Sequence, residues 1–231
     1  MKKLFFACAL AMSCSHLFAL TVAPANIVNQ QPLDLNQMKA NPMDEFQVWY
    51  NNVIQKVGNQ EAACFVLATV SSSCEPSTRS MMAKLVDKNG IAFFGNLSSR
   101  KFQELQANPA AAATFFWYNA QQQISITGKV QRVSEFEAKV VFDKRDRMSQ
   151  ITSHISQQGQ EIGSFSDLQK KQDDMNAQFK NRPVPMPTSW GGYRLIPDTV
   201  EFWQLGANNM HSRILYTKGE SGQWIKTMIS P

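Results

Sequence analysis

Short apolar runs alternate with clusters of Gly, Pro, Asn, Asp and Ser along most of the chain. The first periodic stretch is different: Met43 to Val57 places Phe46, Trp49, Tyr50, Val53 and Ile54 on one helical face. Ala63 to Val70 is continuous and apolar and predicts a strand, broken at Ser71 to Pro76. Ser77 to Val86 predicts a second strand, Asp87-Lys88-Asn89-Gly90 a turn, and Ile91 to Gly95 a third strand. Ser98 predicts the cap of a short helix through Leu105, stopped near Asn108-Pro109. Ala110 to Tyr118 predicts a fourth strand. Gln123 to Val133 then alternates, with Ile124, Ile126 and Val130 on one face and Ser125, Thr127 and Lys129 on the other.

Two capping boxes follow. Ser134 to Glu137 opens a predicted helix through about Arg145, and Ser166 to Gln169 another to about Lys180. Pro183, Pro185 and Pro187 make an extended connector. Gly192 to Ile196 with Val200 to Gln204, then Ile214 to Thr217, then Gln223 to Ile229 predict the last strands, with Gly219 to Gly222 as a hairpin turn. Many short strands joined by turns argue for a small barrel and against parallel βαβ units.

Length and composition suit a globular protein: 231 residues, 43% hydrophobic and 18% charged. The net charge of +5 admits small phosphorylated ligands. The absence of a long Lys/Arg run disfavours an extended nucleic-acid footprint. Lys2 and Lys3 precede a short apolar stretch, Leu4 to Met12, too short for a membrane span. With Ala19 as a cleavage point, residues 1–19 read as an export signal, residues 20–42 as an arm or linker, and 43–231 as the folded domain. The other reading of the start is a disordered or loosely helical extension on a cytoplasmic enzyme. Of four cysteines, Cys8 and Cys14 fall in that start; Cys64 is expected to be a buried small apolar residue and Cys74 a loop residue, unbridged. No CxxC or His/Cys ligand spacing for a metal occurs.

Arg79 and Lys84 lie five apart on one predicted strand, so on opposite faces unless a bulge intervenes. Arg100 and Lys101 open a helix, where free N–H groups and basic side chains make either a phosphate site or a solvated basic helix start. Ser189-Trp190-Gly191-Gly192-Tyr193-Arg194 and Val200-Glu201-Phe202-Trp203-Gln204 suit either a flat aromatic ligand or a barrel core.

These fragments, with Asn96-Leu97-x-Ser99, Gln123, Ser149-Gln150-Ile151, Pro185-x-Pro187 and His211-x-Arg213, occur in an order and spacing that resembles the pyridoxamine 5'-phosphate oxidase family from about Asp34 to Pro231. The resemblance implies an α+β, mainly β fold: an FMN-binding split β-barrel with flanking helices, working as a homodimer. It implies FMN at Arg79 to Lys84, Phe94, Gly95, Arg100, Lys101, Gln123, Gln158, Trp203 and Arg213. It implies substrate phosphate at Lys84, Arg145 and Ser149, with His211 nearest the reacting end and Arg213 aiding the flavin. The implied reaction oxidises pyridoxine 5'-phosphate or pyridoxamine 5'-phosphate to pyridoxal 5'-phosphate. Hydride passes from C4' to flavin N5, and oxygen returns as hydrogen peroxide.

The chain also departs from the family pattern. Phe94 stands for a tyrosine, Gly95 for a hydroxyl residue and Gly159 for a serine beside Gln158. Each lost hydroxyl is worth about 1 kcal/mol of FMN binding. On the substrate side Val141 stands for a tyrosine, Asn209 for a ring-clamping arginine and Ser212 for an aspartate. The arm's Arg-x-x-Tyr has no counterpart, and the C-terminal Arg-Leu-x-Pro reads Met228-Ile229-Ser230-Pro231. The substrate-side changes leave open a flavin protein with another reductant, or a flavin or pyridoxal phosphate carrier without turnover. An intact-mass measurement on the protein from its native host is expected to show the loss of residues 1–19. A full-length mass would instead support the cytoplasmic reading.

Overall fold

A computed structural model describes residues 31–231; the expected export signal lies outside the described residues. Helix α1 (Pro42–Val57) starts where Asn41 accepts a hydrogen bond from the Met43 amide and Pro42 occupies the first turn. It ends at Gly58, whose φ of 82° suits glycine. Its predicted face is the buried one: Phe46, Trp49 and Val53 enter the core and Tyr50 and Ile54 pack at its edge. A single turn, α2 (Asn59–Ala62), leads into β1 (Cys64–Val70).

Strand β2 (Pro76–Met82) pairs antiparallel with β1, then the chain breaks before β3 (Leu85–Asp87) and β4 (Gly90–Asn96). At the break the Ala83 amide donates to Ala63, but the Lys84 amide donates to Ala92. The predicted single strand 77–86 therefore changes partner, because one edge cannot follow both β1 and β4. Helix α3 (Arg100–Ala107), capped by Ser99 rather than Ser98, precedes β5 (Ala110–Trp117) and β6 (Gln122–Arg132). Helices α4 (Glu135–Asp143), α5 (Arg147–Ile155) and α6 (Phe165–Gln178) then follow, with α4 against β7 and α6 against α5. The first box works as expected, with Ser134 accepting from the Glu137 amide. The second cap is Ser164, two residues earlier than expected. Helix α5, capped by Asp146, has no expected counterpart; it is short and only Ile151 of it is buried, so its periodicity is weak.

The last strands are β7 (Trp190–Gln204), β8 (Ser212–Lys218) and β9 (Trp224–Ile229). All pairings are antiparallel, in the order β2-β1-β5-β6-β7-β4-β3, with β8 added at β7 and β9 at β8. The two segments expected between Gly192 and Gln204 are one strand. Along one edge β7 pairs with β6; along the other it pairs first with β4 and then with β8. The changeover falls at a register shift beside Pro197-Asp198, where proline lacks the N–H a ladder would need. Across it stands Gly128, where a Cβ would sit 2.0 Å from the Ile196 carbonyl oxygen. This bend splits the sheet into a curled α+β half-barrel.

The core inside the curl joins α1 to Phe65, Phe93, Phe115, Phe202 and Tyr216. A second cluster lies under α4 and α5 around Phe94, Phe142, Ile151 and Trp190. Strand β4 separates the two, with Ile91 and Phe93 facing one and Ala92 and Phe94 the other. The Gly191-Gly192 pair serves this packing: a Cβ on Gly192 would lie 2.5 Å from both the Phe93 carbonyl oxygen and the Phe94 ring. Trp190 stacks on Phe94 at 5.4 Å, so this half of the aromatic motif is core. Cys64 is exposed, against expectation, because its place in β1 points to the outer face. Cys74 is exposed and both are free.

The described part of the arm is strapped to the last strands. Lys226 Nζ donates to the carbonyls of Leu35 and Met38, both at 2.7 Å, and Tyr216 donates to Lys39 at 2.8 Å. Leu33 and Gln31 are tied to Ser212 and Gln204. Gly192→Ala is expected to destabilise the fold by ~1–3 kcal/mol through overpacking. Thermal denaturation should show this as a Tm loss of several degrees, since ~1 kcal/mol shifts a domain of this size by about 2–4 °C.

Candidate functional site

The expected site residues assemble in two groups at opposite ends of β7. The first lies where β4 ends. Asn96 accepts from the Ser98 amide, tightening the turn into α3 and delivering Arg100 and Lys101 to its first turn. Lys101 is 6% exposed, with its ammonium 5.0 Å from the Phe102 ring centroid. Its Nζ donates to Ser99 Oγ at 3.1 Å and to Gln158 Oε1 at 2.8 Å. Burial, aided by the charge of Arg79, pushes Lys101 down to about 8.

Arg79 reaches the same place from β2. Its NH1 donates to Leu67 O and Thr69 Oγ1, and its NH2 to Ser77 Oγ and Glu104 Oε2. Burial lowers its pKa and Glu104 opposes that; a guanidinium stays charged regardless. Arg100 Nε donates to Glu104 Oε1 at 2.7 Å, while the Arg100 side chain stays 67% exposed. Burial works against ionisation of Glu104, but hydrogen bonds from Thr69, Ser77 and Arg100 outweigh it and hold the carboxyl at about 2. Glu104 therefore adds stability that is complete above its ordinary value of 4.5 and is lost as pH falls through about 2.

A cavity of about 240 Å³ opens beside Lys101, between Phe94, Gly95, Gln158, Ser153, Trp190 and Arg145. The Arg145 guanidinium lies 5.3 Å from the Trp190 ring centroid and donates from NH2 to the Ser149 carbonyl at 3.1 Å. Its Nε is buried with no partner among the described residues. Ser149 is fixed by its amide, which donates to Asp146. Gly159, with φ 90°, takes a backbone conformation that a serine adopts only with strain. Lys84 sits at the β2–β3 break with an exposed side chain, and the break removes the strict alternation expected between it and Arg79.

The second group is a row across three strands. Gln123 pairs with Trp203, and Trp203 with Arg213. The neighbouring row, Ile124, Phe202 and Ile214, is fully buried, so Gln123, Trp203 and Arg213 stand on the outer face. Arg213 is clamped by Glu201, Nε to Oε1 at 2.7 Å and NH2 to Oε2 at 3.1 Å, and its NH1 donates to Ser230 O. The His211 ring lies 5.0 Å from that of Trp203, and its Nδ1 accepts from the Gly206 amide at 3.2 Å. In the neutral ring the proton is therefore on Nε2. Asn208 and Asn209 beside it both have positive φ, which asparagine tolerates better than arginine does.

The sequence profile described as pyridoxamine 5'-phosphate oxidase matches residues 55–178, and that described as the pyridoxine 5'-phosphate oxidase C-terminal dimerisation region matches 190–231. A pyridoxine/pyridoxamine 5'-phosphate oxidase of Aliarcobacter butzleri is 38% identical over 199 residues, 86% of this chain and 93% of that protein. The chain belongs to the pyridoxamine 5'-phosphate oxidase family. The oxidase of Acaryochloris marina is 37% identical over 87% of this chain and 91% of its own length. Among solved structures, PhzG of Burkholderia lata superposes with a TM-score of 0.79 at 25% identity, covering 85% of this chain and 95% of PhzG. A pyridoxamine 5'-phosphate oxidase-related, FMN binding protein of Nostoc punctiforme shares the fold, with a TM-score of 0.68 at 15% identity over 84% of this chain and all of that protein. Membership of the family makes the chain an oxidoreductase whose cofactor is FMN.

The first group fits the phosphate of that cofactor. Arg100 offers an exposed guanidinium fork and Lys101 an ammonium, and a Cβ on Gly95 would stand only 3.8 Å from Lys101 Nζ. Glu104 was not foreseen as part of the site, whereas Trp190 belonged to the motif read as suiting either a flat aromatic ligand or a core. The spacing of Arg100 and Glu104, four apart on a helix, was the one available signal for Glu104. FMN affinity is expected to fall as pH rises through about 8, where Lys101 loses the proton that lets it attract the phosphate. Flavin fluorescence titrations across that range check this, and Lys101→Met should flatten the profile.

Proposed function

We propose that the chain oxidises pyridoxine 5'-phosphate or pyridoxamine 5'-phosphate to pyridoxal 5'-phosphate, with FMN and oxygen, as a homodimer. The observation that carries the reading is the cavity wall that Arg145 shares with Gln158, the partner of Lys101. One cavity thus adjoins two cationic corners, suited to two phosphates, with the flat Phe94–Trp190 stack between them. Arg100 and Lys101 hold the FMN phosphate. Arg145, with its free Nε, Ser149 and Lys84 hold that of the substrate.

The dimer follows from the separation of the two groups. Gly191, paired with Gly95, and Trp203 are twelve residues apart on β7. That is up to ~40 Å of strand at about 3.3 Å per residue. The cavity is also below the ~300–1,000 Å³ usual for a whole ligand site. Both facts support a site in which the Gln123–Trp203–Arg213 row of a second chain closes over the first group. The match of residues 190–231 to a dimerisation region supports the same assembly.

Bound FMN supplies a two-electron acceptor that oxygen can restore, with release of hydrogen peroxide. Arg213, held by Glu201, presents a fixed positive charge to the flavin. His211 presents its Nε2–H to the substrate's 4' oxygen or nitrogen as an orienting hydrogen bond, with its ring fixed by Gly206 and Trp203, and the proton that the 4' group loses on oxidation passes to water. A second reading, oxidation of a reduced ring that carries no phosphate, is favoured by Val141 and Asn209 and by the likeness to PhzG, a structure solved with tetrahydrophenazine-1-carboxylic acid.

FMN-loaded protein is expected to bleach when pyridoxine 5'-phosphate is added without oxygen, and to run as a dimer in light scattering. His211→Ala should slow bleaching by about tenfold, the scale of a lost orienting hydrogen bond. A bound flavin that stays yellow with this substrate would shift the assignment to the second reading.

A further inference from the structure

We propose that Glu104 is a positioning residue for the FMN phosphate, the hub that pins Arg79 inward and turns the Arg100 fork outward. The inference rests on the FMN reading above. Glu104 is 6% exposed, so its carboxylate is not a solvated surface charge. Each oxygen has a distinct task. Oε2 accepts from Thr69 Oγ1 at 2.5 Å, Ser77 Oγ at 2.7 Å and Arg79 NH2 at 3.4 Å. Oε1 accepts from Arg100 Nε at 2.7 Å.

The result is a division of labour between the two arginines. Arg79 uses NH1 and NH2 on protein oxygens, so it contributes charge rather than a fork. Arg100 is held only by Nε, which fixes the plane of its guanidinium and leaves NH1 and NH2 for a ligand. A lone arginine at 67% exposure would sample many rotamers, and ordering it on binding would cost affinity. Glu104 meets that cost in advance.

The charge count agrees. Arg79, Arg100 and Lys101 carry three positive charges and Glu104 one negative, three minus one, a net of two positive. A phosphate monoester carries about −1.5 to −2 near neutral pH. Without the carboxylate, the cations would repel one another across an empty cradle. With it, they match one phosphate.

The test compares FMN with riboflavin, which lacks the phosphate, by quenching of flavin fluorescence on wild type and Glu104→Gln. The amide keeps the shape but directs N–H groups at Arg79 or Arg100. FMN affinity is expected to fall by at least about tenfold, the scale of a hydrogen bond to a charged group, while riboflavin affinity holds. Unchanged or tighter FMN binding overturns the proposal, and so does an equal loss for both flavins, which would mark Glu104 as merely structural. If Glu104→Gln does not fold, Ser77→Ala keeps the carboxylate and removes one of its anchors. It should cost about threefold in FMN affinity alone, and no FMN-specific loss overturns the proposal. A wild-type protein that binds both flavins equally overturns the FMN reading itself. A wild type that prefers FMN, beside a Glu104→Gln that prefers it as strongly, overturns only the role of Glu104.

Discussion

Strand β7 is the constraint that the rest of the structure obeys. It must satisfy β6 along one edge and both β4 and β8 along the other, so its fifteen residues cannot run as a flat ribbon. The register shift at Pro197-Asp198 resolves the conflict by letting the second edge change partner. Its N-terminal half then carries the wall of the cavity through Trp190. Its C-terminal half carries Trp203 on the outer face, with Phe202 in the core directly beside it. One strand thus supplies core, cavity and outer surface, because its alternation is kept on both sides of the bend.

The site at the end of β4 concentrates charge where the fold gives little water. Two kinds of cation respond differently. Lys101, a compact ammonium, loses proton affinity on burial and comes close to neutral pH. The arginines stay charged and are organised by hydrogen bonds. Ser77, Thr69 and Glu104 come from β2, β1 and α3, so the arrangement exists only once the β1–β2 hairpin has packed against that helix.

Much of this was legible in the chain. Period-two alternation gave β6, with Ile124, Ile126 and Val130 all buried, and helical spacing gave α1. Motif order gave the family. What was not legible depended on partners distant in sequence. Nothing local marks Ala83 as the place where a strand leaves β1 for β4. The glycines at 191 and 192 read as room for a ligand, yet they make room for Leu97 and Phe94. Cys64 looked apolar and buried within a continuous run, but a strand with one outward face exposes every second residue, and it falls on that parity with Val66. Beyond its spacing from Arg100, nothing local marks Glu104 either, because the partners that define it, Thr69 and Ser77, come from β1 and β2.

The strap formed by residues 31–39 has a consequence for how the chain acquires its structure. Its bonds from Lys226 to Leu35 and from Leu33 to Ser212 join positions 191 and 179 residues apart. Such contacts raise the contact order and cannot form until the far end of the chain has been synthesised. The N-terminal segment must therefore wait, unsatisfied, while every strand between is laid down, and β9 is the last piece to arrive. Closure of the strap is a late event that reports synthesis through β9. A product truncated before β9 would leave the carbonyls of Leu35 and Met38 without Lys226, and the segment so loosened is open to chaperones and proteases.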